Sequence, residues 1–356
     1  MQIGFLVDKV SFGGGERILK MLIDGFDKLG HSIVLYTWNK DWNKVKGLDY
    51  KIYILQSPPI GLKGKYKALL ELSVNLKKIN PDCLIVFSLG LAEVAVWSAL
   101  LANIPIVLSE RVDPHYLPKS KLHRWLRNII YRNSSGIVFQ TEEVKRYYSK
   151  TIQKRGIVIQ NPIIDDDLPS TRNIILRKKI VAVGRLSEEK NFEMLIQAFS
   201  ELNLEDYTLS IYGDGPLYNK LYSLIDSLHK HTQIKLEGKV SSVLEYIKDA
   251  DIFVMCSNHE GMPNALIEGM AMGLACISTD FPSGGARALI TNNENGIIIP
   301  LNNKKALKDS ILRLINDESL KLHIKHNALK IRKTNSKIVI LPQWINFILS
   351  IIQCRQ

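Results

Sequence analysis

Short apolar runs alternate with helix-like segments along the first half of the chain. The runs typical of strands are IGFLV (3–7), SIVLYTW (32–38), CLIVFS (83–88), IPIVLS (104–109) and GIVFQT (136–141). They are apolar at nearly every position, as expected for strands that are buried on both faces. Between the first two runs, residues 16–30 have a helical periodicity that ends at Gly30. We therefore predict an α/β domain whose parallel sheet is covered by helices on both faces.

The same pattern starts again in the second half of the chain. Its strand-like runs are KIVAVG (179–184), TLSIYG (208–213), QIKLEG (233–238), DIFVMCS (251–257) and ACISTD (275–280). Residues 157–173, with two prolines and many turn formers, predict a linker. We predict two facing Rossmann-like, doubly wound domains, 1–165 and 166–340, with an interdomain cleft where the strands end. The apolar C-terminal segment, 341–356, is expected to pack back on the first domain.

The composition is that of a globular protein with two domains of ordinary size. The 356 residues are 46% hydrophobic and 23% charged. The four cysteines form no CxxC pair and the eight histidines form no HExxH group, so we expect no metal site. The sequence shows neither a run of 18 uncharged apolar residues nor a signal-peptide pattern at its start. We therefore expect a cytoplasmic protein.

The positive charge is concentrated in the first half. Residues 1–160 hold 24 basic and 13 acidic side chains, a balance of +11, whereas the whole chain carries +12. A basic half indicates an anionic partner, which leaves nucleic acid, an anionic membrane and a polyanion open.

The segment DIFVMCSNHEGMPNALIEGMAMG (251–273) is the most informative in the chain. Two carboxylates, Glu260 and Glu268, lie on either side of a predicted helix start, and Pro263 suits the first turn of that helix. The first amides of a helix have no internal partners and favour an anion. Asn264 and Glu268 share one face of the helix. Carboxylates beside an anion cradle suit a ligand with both phosphates and hydroxyls, such as a sugar nucleotide.

A second candidate is the loop GRLSEEKNF (184–192), which follows the first strand of the second half. Arg185 and Lys190 lie five residues apart in this loop and can neutralise a diphosphate. The alternative is a solvated surface loop in which they pair with Glu188 and Glu189.

Three turns carry weaker signals. The triplet Gly13-Gly14-Gly15 permits a ligand to approach the backbone, but it is not a dinucleotide fingerprint and a tight turn is the alternative. The turn 213–216, GDGP, has two interpretations: its residues are present because they form a tight turn, or its backbone lies beside a nucleotide base. The acidic triplet 165–167 is interpreted as a solvated turn rather than a metal site.

The basic segment 115–133 has an apolar stripe at helical spacing, made of Leu122, Trp125, Leu126, Ile129 and Ile130. The cations beside it are Lys119, Lys121, Arg124 and Arg127. This pattern fits a helix that lies on an anionic membrane, and an ordinary helix with one core-facing side is the alternative. The excess charge of the first half favours the membrane.

Four motifs in order resemble those of the retaining GT-B glycosyltransferases of family GT4 (glycosyl transferases group 1). They are GG-x-ER (13–17), GRL-x-x-EKN (184–191), GDGP (213–216) and EGMPN-x-x-IE (260–268). The stretches SER-x-DP (109–114) and STDFPSGGARALI (278–290) are similar to those of enzymes that build O-antigen, capsule or lipid-linked oligosaccharides. The resemblance covers nearly the whole chain and implies a GT-B fold.

The resemblance implies a role for each matching residue. Arg185 and Lys190 would hold the donor diphosphate and stabilise the leaving group, and Glu260 would contact the donor sugar. The other donor contacts would be Gly13, Gly14, Gly213 and Val240 (base), Gly261, Met262, Asn264, and Glu268 (ribose). Arg111 stands where related members often carry a histidine, and this departure leaves open whether it binds donor sugar or acceptor phosphate.

The implied activity is transfer of a hexose or N-acetylhexosamine with retention of configuration and without a metal cofactor. The donor would be UDP-galactose, UDP-GalNAc, UDP-glucose or UDP-GlcNAc. The acceptor would be a saccharide on undecaprenyl diphosphate, at the inner face of the cell membrane, in O-antigen or other lipopolysaccharide and surface-polysaccharide biosynthesis. A sugar-nucleotide epimerase and a basic membrane- or nucleic-acid-binding protein are the alternatives, and the resemblance disfavours nucleic acid as a partner.

Overall fold

The computed structural model describes residues 1–7, 14–41, 50–163, 168 and 177–354, without the side chains of 14–16. The chain divides into two compact units, Met1–Pro162 together with Lys337–Gln356, and Ile163–Ser336. The boundaries expected from the sequence were 165 and 340. Gly13 and the acidic triplet 165–167 lie outside the described residues.

The first unit is built on a seven-stranded parallel sheet. Its strands are β1 (Gln2–Val7), β2 (Ser32–Thr37), β3 (Lys51–Ile54), β4 (Cys83–Val86), β5 (Ile106–Ser109), β6 (Gly136–Phe139) and β7 (Gly156–Val158). They lie in the order β3-β2-β1-β4-β5-β6-β7. The prediction that the linker starts at residue 157 is wrong, because Ile157 and Val158 pair with Val138 and Phe139 at the edge of this sheet.

Helices cover both faces of the first sheet. They are α1 (Gly14–Lys28), α2 (Gly61–Ile79), α3 (Leu89–Ala102), α4 (Lys121–Asn133), α5 (Glu142–Tyr147) and α6 (Lys150–Gln153). Residues of α2 to α6 contribute to the buried cluster on one face, and α1 contributes to the cluster on the other. The inner strands are therefore buried on both sides, which explains why their sequences are apolar without alternation, whereas the edge strands β3 and β7 are partly exposed.

The second unit repeats this plan with a six-stranded parallel sheet. Its strands are β8 (Lys179–Val183), β9 (Thr208–Tyr212), β10 (Ile234–Gly238), β11 (Ile252–Met255), β12 (Ala275–Thr279) and β13 (Ile297–Ile299), in the order β10-β9-β8-β11-β12-β13. Its helices are α7 (Phe192–Glu201), α8 (Tyr218–Ser227), α9 (Val243–Ile247), α10 (Asn264–Ala271), α11 (Lys304–Asn316), α12 (Glu318–Ala328) and α13 (Ile331–Thr334). Two Rossmann-like domains are thus confirmed.

The last helix, α14 (Lys337–Gln353), belongs to the first unit. It packs against α1 so closely that a Cβ on Gly25 would lie 2.6 Å from a methyl carbon of Leu341. Trp344 is buried, and its ring stacks on that of Phe87, which follows β4, at a centroid distance of 5.6 Å. The apolar side of α14 is therefore part of the first core.

Both sheets reverse their strand order at one point. In the first unit the reversal lies between β1 and β4, and in the second between β8 and β11. Loops that leave the carboxyl ends of such a pair diverge to opposite faces and leave a crevice, where doubly wound proteins bind their ligands. The loops after β8 and β11 carry Arg185, Lys190 and Glu260.

A buried ionic cluster lies at the opposite, amino edge of the second sheet. Asp251, just before β11, accepts hydrogen bonds from Lys321 (2.8 Å), Lys325 (3.1 Å) and Tyr207 (3.1 Å). Burial alone would raise the pKa of Asp251, but the two lysines outweigh burial and lower it. Burial opposes the charge of Lys321, whereas Asp251 and Glu318 raise its pKa to about 12.

Replacing Asp251 with Asn is expected to destabilise the second unit by about 3–5 kcal/mol at neutral pH, because the buried ammonium of Lys325 loses its carboxylate and that of Lys321 keeps only the exposed Glu318. Since the pKa of Asp251 is lowered by folding, its contribution is present above its ordinary pKa of 3.8 and disappears as the pH falls below that value. The contribution of Lys321 disappears as the pH rises from 10.5 through about 12.

Urea denaturation at several pH values measures both effects. Asp206→Asn is the matched control, because this carboxylate pairs with Lys178 at the exposed surface and its loss should change little. Equal stability of the Asp251→Asn and Asp206→Asn variants at neutral pH would contradict the expectation.

Candidate active site

Two of the predicted site residues meet at the reversal point of the second sheet. Lys190, from the loop after β8, donates a hydrogen bond to Oε1 of Glu260, from the loop after β11. Their side chains are 18% and 15% exposed, so the pair is largely shielded from water but still reachable. The two loops are also joined through the backbone, because Asn258 N donates to Glu189 O at 2.7 Å. The solvated-loop alternative therefore fails for Lys190.

Glu260 is held in place by a hydroxyl that the sequence analysis missed. Ser257 Oγ donates to Glu260 Oε1 at 2.8 Å, and the Ser257 carbonyl accepts from Thr279 Oγ1 at 2.5 Å. Both Ser257 and Thr279 are buried. Their position in the sequence was the signal that could have identified them, because a small polar residue follows the apolar run of β11 and another ends β12.

Arg185 lies in the same loop, and its side chain is exposed. Burial acts to raise the pKa of Glu189, but the positive charges of Lys190 and Arg185 contribute to lowering it. An exposed guanidinium remains able to bind an incoming diphosphate.

The glycine turn after β9 fixes the loop that carries Arg185. Leu186 N donates to Asp214 O at 3.0 Å, and a Cβ on Gly213 would lie 1.9 Å from Gly184 O. A Cβ on Gly215 would lie 2.5 Å from Leu186 O. Only glycine permits this approach, so the geometric interpretation of the GDGP turn is correct. The role in base binding, predicted for Gly213 and for half-buried Val240 after β10, stays a prediction.

The helix α10 starts one residue later than predicted. Pro263 is the N-cap and lies outside the first turn, so the helix begins at Asn264. The carbonyl of Gly261 accepts from Ser283 Oγ at 3.1 Å, and Gly285 packs against it so closely that a Cβ there would lie 2.4 Å away. Residues of the stretch STDFPSGGARALI (278–290) therefore hold the loop before α10 in place.

Two other predicted donor contacts also lie in this part of the second unit. The side chain of Met262 is buried in the core, so only its backbone can face a ligand. Glu268 is half-buried and lies one turn after Asn264 on α10. Its predicted role in ribose binding is untested by these contacts.

Arg111 lies at the carboxyl edge of the first sheet. Its guanidinium lies 4.5 Å above the ring of Phe87, and Nη1 donates to Asn161 Oδ1 at 2.7 Å. Gln140 donates to the same oxygen at 2.8 Å. Burial lowers the pKa of Arg111 to about 9. The other predicted contact in this unit that the model describes is Gly14, which begins α1.

The predicted membrane segment is only partly exposed. Lys119, Lys121 and Trp125 face outward, and Trp125 is 59% exposed. The prediction for Arg127 is wrong, because this residue is buried, donates to Leu117 O and lies against the ring of Tyr148. A buried glutamate nearby, Glu110, favours its charge.

Arg124, the fifth residue of the predicted membrane set, is partly committed to the fold. It donates to the carbonyls of Pro118 (2.7 Å) and His115 (2.9 Å) and thereby holds the loop before α4. Its periodic position on the helix could not distinguish these local contacts from an outward-facing charge.

The described part of the chain shows neither a metal-binding cluster nor a single membrane-spanning helix. It contains no group of three or more histidines, cysteines, aspartates or glutamates that could hold a metal ion. No single helix in that part is long and apolar enough to cross a membrane. The consecutive helical segments Glu318–Thr334 and Lys337–Gln353 have the length and composition of a membrane span only when they are taken together.

Two family models match the chain. The model described as Glycosyltransferase Family 4 matches residues 12–167, and the one described as Glycosyl transferases group 1 matches residues 171–331. The chain therefore carries one domain of each family, and it is a glycosyltransferase.

Curated relatives extend over most of the chain. The Campylobacter jejuni protein named GalNAc-α-(1→4)-GalNAc-α-(1→3)-diNAcBac-PP-undecaprenol α-1,4-N-acetyl-D-galactosaminyltransferase is 25% identical over 98% of both chains. The amylovoran biosynthesis glycosyltransferase AmsD of Erwinia amylovora is 23% identical over 95% of this chain and 97% of its own. These names place relatives in transfer to lipid-linked saccharides and in polysaccharide biosynthesis.

Solved structures share the fold. A glycosyltransferase from Rickettsia africae has a TM-score of 0.82 at 20% identity and covers 99% of this chain and 98% of its own. HepE from Anabaena, solved in complex with UDP, has a TM-score of 0.83 at 17% identity and covers 98% of this chain and 100% of its own. The fold is GT-B, as the sequence motifs predicted.

Replacing Ser257 with Ala should lower kcat for sugar transfer roughly tenfold or more, because a hydrogen bond to a charged group is worth about 1.5–3 kcal/mol. Ser257→Thr keeps the hydroxyl and should restore most of the rate. Ser278→Ala is the matched control, because within the described ranges that buried hydroxyl bonds only the carbonyl of Thr279. Wild-type kcat in the Ser257→Ala enzyme would show that Ser257 does not position Glu260.

Proposed function

We propose that this enzyme transfers a hexose or N-acetylhexosamine, with retention of configuration, from a UDP-sugar to a saccharide on a lipid diphosphate. The observation that carries the proposal is the Lys190–Glu260 pair at the reversal point of the second sheet, with exposed Arg185 on the same loop as Lys190. These cations suit the diphosphate and the carboxylate suits sugar hydroxyls.

The chemistry follows from where charge develops. Breaking the bond between the sugar and the diphosphate builds negative charge on the leaving phosphate, and preorganised cations lower the energy of that transition state. Arg185 and Lys190 supply this charge, so the proposed reaction needs no metal ion. In a retaining reaction the leaving phosphate takes the acceptor proton, which removes the need for a separate base on the protein.

The acceptor class rests on the relatives and on charge. The two Campylobacter jejuni relatives, of which one is 31% identical over 62% of this chain, are named for acceptors on undecaprenyl diphosphate. The excess positive charge of residues 1–160 suits an anionic lipid-linked substrate and the anionic inner surface of the cell membrane. The HepE structure in complex with UDP supports the choice of uridine nucleotide.

Membrane association is supported by two exposed apolar surfaces of the first unit. On α4, Leu122 (61% exposed) and Trp125 (59%) lie next to Lys119 and Lys121. On α2, exposed apolar side chains recur every fourth residue, in the series Leu62, Tyr66, Leu70 and Val74. Apolar stripes flanked by lysines are typical of helices that bind at the surface of an anionic bilayer.

The test is incubation with a panel of radiolabelled UDP-sugars and an undecaprenyl-diphosphate-linked saccharide, with and without EDTA. We expect one donor to label the lipid product, and EDTA to leave the rate unchanged. NMR of the product reports the anomeric configuration. Inversion of the sugar, dependence on a divalent cation, or an epimerised sugar nucleotide without transfer would each contradict the proposal.

Glu260→Ala and Lys190→Ala should each lose most turnover while remaining folded. For Lys190, removal of one electrostatic donor to a developing oxyanion typically costs about 2.7–4 kcal/mol, or on the order of 100- to 1,000-fold in kcat. For Glu260, the loss removes the carboxylate that would accept hydrogen bonds from the sugar and leaves Lys190 without its partner. Lys220→Ala is the control, because this lysine pairs with Glu193 at the surface of the same unit. Full activity of either purified site variant would contradict the assignment.

Sedimentation with vesicles tests the membrane surface. The Leu122→Ala/Trp125→Ala variant should bind less to vesicles that contain phosphatidylglycerol, and each of Lys119→Gln and Lys121→Gln should lower binding about fivefold, since a lysine near the surface is worth about 1 kcal/mol. Leu322→Ala, at a similarly exposed leucine of the second unit, is the control. Equal binding to neutral vesicles would remove the electrostatic part of the proposal.

A further inference from the structure

We propose that Arg111 binds an oxygen of a diphosphate, so that the carboxyl edge of the first sheet holds an oxyanion site of its own. This inference rests on the proposed function and goes beyond it, because it assigns a charged anchor to the unit that does not carry the Lys190–Glu260 pair.

The position of Arg111 is set by four neighbouring strands. Phe87 follows β4, Arg111 follows β5, Gln140 follows β6 and Asn161 follows β7. Their contacts bring all four side chains together at one edge of the sheet. This is the edge at which parallel sheets bind ligands.

The guanidinium of Arg111 is held by two contacts, and one of its amino groups remains available for a ligand. The ring of Phe87 lies 4.5 Å below it, and Nη1 is committed to Asn161. The second amino group, Nη2, is buried and has no hydrogen-bond partner in the described part of the protein. Ser109 Oγ, two residues earlier, is likewise buried without a partner there. A rigid fork with an unused donor is typical of an arginine prepared to bind an oxyanion.

The charge of Arg111 is not balanced by its neighbours. Among the described residues, none forms an ion pair with it, and its hydrogen-bond partner is a neutral amide. The adjacent carboxylate is occupied elsewhere, because Glu110 accepts hydrogen bonds from Tyr131 and Tyr148 in the core. A buried cation without a counter-ion is costly, and an anionic ligand removes that cost.

The unbalanced charge discriminates between the donor sugar and the acceptor phosphate, the two ligands that the sequence left open for Arg111. The hydroxyls of a neutral sugar can accept a hydrogen bond from Nη2, but they cannot neutralise the guanidinium. A phosphate oxygen does both. Both the donor nucleotide and the lipid-linked acceptor carry a diphosphate, so the experiment has to separate these two sources.

Binding measurements separate them without relying on transfer. Farnesyl diphosphate serves as the probe for the acceptor diphosphate, farnesol as its uncharged control, and UDP as the probe for the donor. Titration calorimetry compares wild type, Arg111→Gln, Arg111→Lys and Arg155→Gln. Arg155 is the matched control, because it is an exposed arginine that precedes β7 at the opposite edge of the same sheet.

We expect Arg111→Gln to bind farnesyl diphosphate roughly 10- to 150-fold more weakly, the range for one charge-assisted hydrogen bond, with Arg111→Lys in between. Farnesol and UDP affinities should not change, and Arg155→Gln should match wild type. Loss of UDP affinity instead would assign the same oxyanion site to the donor. Unchanged affinity for both diphosphates would overturn the inference.

Thermal unfolding distinguishes this binding role from a structural one. Arg111→Gln removes an unbalanced charge at a half-buried position together with the contacts to Phe87 and Asn161, so its unfolding temperature should stay close to that of wild type. A marked fall with unchanged diphosphate affinity would show that Arg111 only supports the fold. Failure of every donor in the transfer panel would contradict the proposed reaction, whereas Arg111-dependent diphosphate binding would still stand.

Discussion

The ion pair between Lys190 and Glu260 is the interaction on which the candidate active site depends. It joins two loops that are 70 residues apart in sequence and leave adjacent strands at the reversal point of the second sheet. Each charge stabilises the other in a setting that is largely shielded from water. The hydroxyl of Ser257 then fixes the direction of the carboxylate. A short-range electrostatic contact thus holds the two loops in a defined arrangement at the carboxyl edge of the sheet.

The fold could be predicted because the strands are buried on both faces. Apolar runs of five or six residues between helical segments leave few arrangements other than a covered parallel sheet, and the second series repeats the first. The prediction was less accurate at the boundary between the first sheet and the linker. Ile157 and Val158 were assigned to a linker because prolines follow them closely, although their own apolar character pairs them with β6.

The site was only partly accessible from the sequence. Motif spacing identified Lys190 and Glu260, but it could not show that they pair with each other, since this contact depends on how two loops diverge from a sheet. Ser257 was missed because a lone serine after a strand has many ordinary uses. Arg127 was misassigned because helical periodicity describes one helix at a time, whereas its burial comes from Tyr148 and the loop before α4.

The cluster around Asp251 has a consequence for how this enzyme can change. It lies at the amino edge of the second sheet, before β11, while Glu260 of the candidate active site lies beyond the other end of the same strand. A strand of four residues separates them, so their electrostatic requirements do not compete. Natural drift or protein engineering can therefore tune thermal robustness at one end of the sheet while substrate preference diversifies at the other, and the usual trade-off between stability and activity is relaxed.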